Sequence, residues 1–180
     1  MGESDFYDAG PLKQVAINLF YGWGYNFYRQ ENQLRADDQL VRAKAGWLLG
    51  LAHASVETAE SDFRRENLQP PSRAKPYPDP DVVNDAQTLE RLGKAIDMLI
   101  GRIHALPVPE NDRMTQRYRS EIETLAALGE CDARFVGQCQ LLHGMLDQKR
   151  GSWIIDNLAL IMDGIAAINS SLQERQSLLM

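Results

Sequence analysis

Apolar residues recur at intervals of three and four along most of the chain, while sustained period-two alternation and Asn-Gly or Asp-Gly hairpin turns are absent. That is the pattern of amphipathic helices, not of half-buried strands. It predicts an all-α fold: an antiparallel helical bundle of four core helices plus an aromatic-rich N-terminal helix, with one helix broken or kinked near Gly129.

The elements follow in order. A first helix is expected to open at Pro11, whose missing N–H has no intrahelical partner in the first turn. Leu12, Val15, Leu19, Trp23 and Phe27 form its stripe, and Gly22 and Gly24 weaken it by about 1 kcal/mol each. The second helix is expected from Asp37 to Asn67. Its residues Val41, Ala45, Leu48, Ala52, Val56, Ala59 and Phe63 fall within about 80° on a helical wheel, which makes that face core. Residues 69–81 read as a stiff linker, because five of the eight prolines stand between Pro70 and Pro80 and proline removes backbone donors.

A third helix carries Val82, Ala86, Leu89, Leu92, Ile96, Leu99, Ile103 and Leu106 and is stopped by Pro107 and Pro109. From Asn111 another stripe keeps its phase through Met114, Tyr118, Ile122, Leu125 and Leu128 into Phe135, Cys139, Leu142 and Leu146. Unbroken, it would span about 60 Å, so a break or bend is expected at Gly129-Glu130. Lys149, Arg150 and Gly151 read as a helix end, with Ser152 as the next N-cap. The last helix, Trp153 to about Gln176, is apolar on most sides and is expected at the centre. Residues 1–180 then form a single helical domain with a flexible N-terminus at 1–10.

Composition sharpens this picture. A chain of 180 residues with 44% hydrophobic content buries roughly 70% of its unfolded surface and needs no metal or disulfide to hold a core. Its 25 acidic and 19 basic residues leave a net charge of −6, which disfavours nucleic acid as a partner, since phosphate binding needs a clustered positive face. The small cluster Arg113, Arg117 and Arg119 is flanked by Asp112, Glu121 and Glu123 and reads as a solvated face. The opening MGESDFYDAG has no secretory pattern, and no window approaches the roughly 18 apolar residues of a membrane span. Cys131 and Cys139, placed on one helix, lie about 12 Å apart along its axis and cannot bridge each other. A cytoplasmic setting with free thiols is expected.

Three places carry candidate chemistry. On the second helix Gln39, Arg42, Gly46, Gly50, His53 and Glu57 share the side opposite Leu48, flanked by Ala43 and Ala54. Two glycines one turn apart forfeit about 2 kcal/mol of helix propensity, so something is expected to approach closely: another helix of the bundle, a second subunit or a ligand. His53 and Glu57, at i,i+4, read either as a surface pair or as part of that contact. The segment Phe20–Tyr28 holds six of the fourteen aromatic residues. Tyr21, Trp23, Tyr25 and Tyr28 there cap the core, face another protein, or line a pocket in which Asn26, Arg29 and Gln30 fix a ligand.

Cys139 and His143, with Asp147 a turn further on, have the i,i+4 spacing of two metal ligands. A zinc site needs three or four, and a buried inert cysteine beside a hydrogen-bonded histidine is the alternative. The ferritin-like Glu-x-x-His pair is missing, since Gly50, Gly101 and Gln140 precede His53, His104 and His143 by three. So are a His-Glu-x-x-His helix, a nucleophile elbow and a phosphate loop. No complete motif indicates a cofactor, and His104 reads as a cation near a helix end. The function expected is a non-catalytic interaction or assembly protein, dimeric by default. It would self-associate or dock on a protein partner through the aromatic segment and the Gly46/Gly50 face. The alternative is a bundle that binds a small ligand, cofactor or metal.

Overall fold

The stripe from Val41 to Phe63 organises the molecule. In a computed structural model, which describes residues 33–68, 70, 72–73, 76–106 and 122–179, this stripe lies on helix α1 (Gln33–Asn67). Every member is buried except Phe63, which is half-buried. The expected first helix, the 1–10 segment and the start of the rod at Asn111 lie outside the described residues. At 35 residues, α1 is about 50 Å long. Side chains one turn apart support its last turns: Arg64 pairs with Glu60, and Arg65 with Asp62 at 2.7 Å. The described residues between Leu68 and Asp79 carry no helix.

Helix α2 (Pro80–Ala105) starts on a full cap. The Asp79 carboxylate accepts the Asp81 N–H at 3.0 Å, and Pro80 takes the first helical position, where its ring pre-sets φ and no donor is wasted. Leu106 leaves the helix in extended conformation, as a residue before proline must. The Arg42 guanidinium donates to its carbonyl at 2.5 Å. With Arg42 beside Leu106 and Arg64 bonded to Glu90, α2 runs antiparallel to α1.

Of the break or bend expected at Gly129-Glu130, the break is corrected: helix α3 (Ile122–Leu146) runs through both residues. A glycine costs a helix about 1 kcal/mol, whereas burying one Leu or Phe side chain gains about 1.5–3 kcal/mol. Leu128, Phe135 and Cys131 are all buried on the turns beside it. Packing therefore decides the conformation.

The corner after α3 holds a second correction. The helix ends at Leu146, and the residue that turns the chain is Gln148, with a left-handed φ of 54°. Gly151 begins the next helix, α4 (Gly151–Asp156). Its N-cap position is Arg150, with no side-chain cap, so Ser152 lies inside the helix and does not cap it. Gly151 is needed for close approach: a Cβ there would stand 2.9 Å from Leu89 Cδ1 and Phe63 Cβ and 3.1 Å from the Ala59 carbonyl oxygen.

The expected last helix is divided into α4 and α5 (Leu158–Leu179) by a step at Asn157. The Asn157 amide side chain donates to the Trp153 carbonyl at 2.8 Å, the local competition with the backbone that makes Asn unfavourable inside helices. Nor is this last helix central. It packs chiefly on α3, with Leu158 and Leu160 half-buried and Met162 exposed. The centre belongs to α1, which carries α2 on one side, α3 on the other and α4 across its end.

Successive long helices run in opposite directions, so α1 and α3 lie side by side and parallel. Between α3 and α5 a polar seam interrupts the core. Arg175 donates to Asp132 at 2.5 Å with both side chains almost fully buried, Arg134 pairs with Glu174, and the Cys131 thiol donates to the Ser171 carbonyl at 3.4 Å. Among the described residues there is no strand, and no helix is long and apolar enough to cross a membrane.

Candidate functional site

Because α1 and α3 are parallel and α4 folds back at their common end, a groove of about 670 Å³ is left between the second half of α1 and the α3–α4 corner. Leu51, Ala59 and Phe63 form its apolar wall. His143, on the last turn of α3, and Gly151, at the start of α4, face them.

The polar groups of the groove are unevenly matched. Ser55 and Thr58 spend their hydroxyl protons on the carbonyls of Leu51 and Ala54, at 3.0 and 2.9 Å. Their oxygen lone pairs remain as acceptors. The Nδ1 atom of His143 is buried and has no hydrogen-bond partner. A buried polar atom left unpaired costs about 1–3 kcal/mol. At the rim, Asp62 is paired with Arg65, while Lys149 lies 5.1 Å from the centre of the Trp153 ring. Glu66, Asp147 and Arg150 line the groove with no ion pair to one another.

The residues marked by the sequence are not brought together. Tyr21, Trp23, Tyr25, Asn26, Tyr28 and Arg29 lie outside the described residues. On α1, Gly46 sits under α2, where a Cβ would come 3.3 Å from His104 Nε2. A ring of the same chain thus fills that notch, and His104 has a packing role besides its place in the last turn. A Cβ at Gly50, one turn on, would meet nothing within 4 Å among the described residues. His53 reaches Glu57 at 3.6 Å and lies over Gly93 of α2, lining a smaller recess of about 160 Å³ with Glu60 and Lys94. Exposed Trp47 takes Lys44 over its ring at 3.9 Å.

Cys139 is fully buried, and desolvation pushes its thiol far above the usual range. Burial, helped by the Asp132 and Glu174 carboxylates, raises the Cys131 thiol to about 11. Neither is poised as a thiolate. Among the described residues no three His, Cys, Asp or Glu side chains gather where they could hold a metal, so Cys139 and His143 gain no third ligand from these helices.

Sequence reasoning singled out His143 and Asp147 but linked them to Cys139, on the buried side of α3. Their partners across the groove, from Leu51 to Glu66, belong to the edge of the α1 stripe and carry no motif. The available signal was the corner itself, where Asp147 is followed four residues later by Gly151.

Comparison with known proteins finds no family model that matches the chain, and no curated protein or solved structure that matches it. The fold and the groove therefore carry the functional reading.

Proposed function

We propose that this protein is a non-catalytic, cytoplasmic helical bundle that works by binding a small ligand in the groove between α1 and the α3–α4 corner. The observation that carries this reading is the groove itself: about 670 Å³, with an apolar wall of Leu51, Ala59 and Phe63 facing His143, the size range of small-molecule sites. The two free, buried thiols support a reducing compartment and weigh against covalent chemistry at cysteine. The test is native mass spectrometry of protein taken from its own cell, beside a Thr58→Trp variant whose indole fills the groove. A retained small mass that the variant loses, at unchanged melting temperature, is the expected result. Equal retention by both proteins would count against the groove.

A second reading, self-association as a dimer, draws on a different observation. A Cβ at Gly50 would meet nothing within 4 Å among the described residues, and Ala43, Trp47 and Ala54 beside it on α1 are exposed, a strip on which a second copy or another protein could settle closely. Sedimentation of Gly50→Leu tests this, because the branched side chain would hold two such strips apart. An unchanged mass distribution across concentrations in both proteins would dismiss it.

A further inference from the structure

We infer that two copies of this chain associate through α1, antiparallel about a two-fold axis at Gly50-Leu51, with Trp47 of each copy seated on Ala54 of the other at the mouth of the groove. This rests on the self-association reading above and deepens it.

The strip on α1 is built to fit itself. Ala43, Trp47, Gly50, Leu51, Ala54 and Thr58 cover about 22 Å of the helix and fall within about 100° on its wheel. None of the six is charged. Trp47 is 49% exposed, and Ala43, Ala54 and Thr58 are exposed beside it. In an interface of two-fold symmetry the same patch serves both copies, so a contact of one residue with another occurs twice. An axis between Gly50 and Leu51 brings Trp47 level with Ala54 of the second copy, and Ala43 level with Thr58. A large ring then lies on a methyl group. At the axis itself a Cβ on Gly50 would meet nothing within 4 Å among the described residues, which leaves room for two backbones to close in.

Charge selects this register. Lys44, whose ammonium lies over the Trp47 ring at 3.9 Å, comes level with the exposed Glu57 of the second copy. Moving the axis so that Trp47 met Gly50 would set Lys44 level with His53 instead. Opposite charges across an interface fix register in this way. The strip also runs into the groove, since Leu51, Ala54 and Thr58 line both. Seated on Ala54, the Trp47 ring of the second copy adds an apolar edge to the groove, so each copy contributes to the other's site.

Sedimentation of the full chain from about 10 to 500 μM, the range suited to a small interface with few anchors, tests the geometry by exchange. Trp47→Ala should weaken dimerisation about thirtyfold, as loss of an indole anchor does. Ala54→Trp should abolish it by setting ring on ring. Trp47→Ala/Ala54→Trp again places one ring on one methyl group in each pair, and should return dimerisation to within about threefold of the parent, the coupling expected of residues in contact. Both positions are exposed, so circular dichroism should show all four proteins equally folded. A dimeric parent whose double variant associates no better than the single ones would overturn this register and leave self-association standing. A parent that stays monomeric throughout the range would overturn both.

Discussion

Removing the Asp132 carboxylate, as in Asp132→Ala, breaks its 2.5 Å ion pair with the Arg175 guanidinium in a setting where the Arg side chain keeps 3% of its exposure and the Asp 1%. Water cannot replace what is lost, so the cost is that of breaking a buried ion pair: about 3–5 kcal/mol. A domain is stable by about 5–15 kcal/mol in total, so about a fifth or more of the folding free energy is at stake. For a chain of this length, about 2–4 °C of melting temperature follow each kcal/mol, and the transition should fall by roughly 6–20 °C.

The assay is urea unfolding followed by helical circular dichroism at pH 7, for the single variant, for Arg175→Met and for Asp132→Leu/Arg175→Met. If burial is what makes the charge expensive, each single change is severe and the double variant recovers most of the loss or exceeds the parent. Apolar replacements of buried ion pairs are often neutral or stabilising by about 1–4 kcal/mol. A single variant that loses less than about 1 kcal/mol, the ceiling for exposed pairs, would show that water reaches the seam and that the argument from burial is wrong.

Gly151→Ala should destabilise by about 1–3 kcal/mol, the usual range for overpacking. The new Cβ meets Leu89 and Phe63 at 2.9 Å and an immobile carbonyl at 3.1 Å; an unchanged urea midpoint would refute the close approach. Gly50→Ala, whose Cβ would meet nothing within 4 Å among the described residues, should instead stabilise by up to about 1 kcal/mol, and a lower melting temperature would reveal a further contact. At pH 8 the native thiols should resist a disulfide reagent that labels both in denaturant, and fast native labelling of Cys131 would contradict its burial. Cys131 keeps its proton to about pH 11 when folded, against a reference of 9.0. Above pH 9 the unfolded chain therefore holds fewer protons than the folded one, and stability should fall through pH 9–11 by about 1.4 kcal/mol per unit from this group. That slope should be shallower in Cys131→Ala.

The architecture was legible wherever an apolar stripe was clean. The stripes of α1 and α2 lie largely buried as their spacing implied, and the proline run marks where one helix stops, though the next starts at Pro80, inside the stretch 69–81 read as linker. What failed was local punctuation read without its tertiary setting. Gly129 looked like a break, but buried neighbours hold the helix together, and Gly151 looked like a helix end because its close contacts with Ala59, Phe63 and Leu89 are invisible in one dimension. The groove was less legible still. It depends on α1 and α3 being parallel neighbours, a relation between residues some 80 positions apart that no periodicity encodes. Asp132 and Arg175 escaped notice for the same reason, each being an ordinary charged residue until the other helix is in place.

The direction of the helices also fixes a geography. The carboxyl end of α5 lies beside the amino-terminal half of α3, where Arg175 and Glu174 meet Asp132 and Arg134, whereas the groove is at the opposite pole with the α3–α4 corner. A molecule anchored through the end of α5, to a bead, a chip or a fused neighbour, would thus hold its cleft pointing away from the anchor. Such a handle would leave the mouth open for capture experiments without any redesign of the chain.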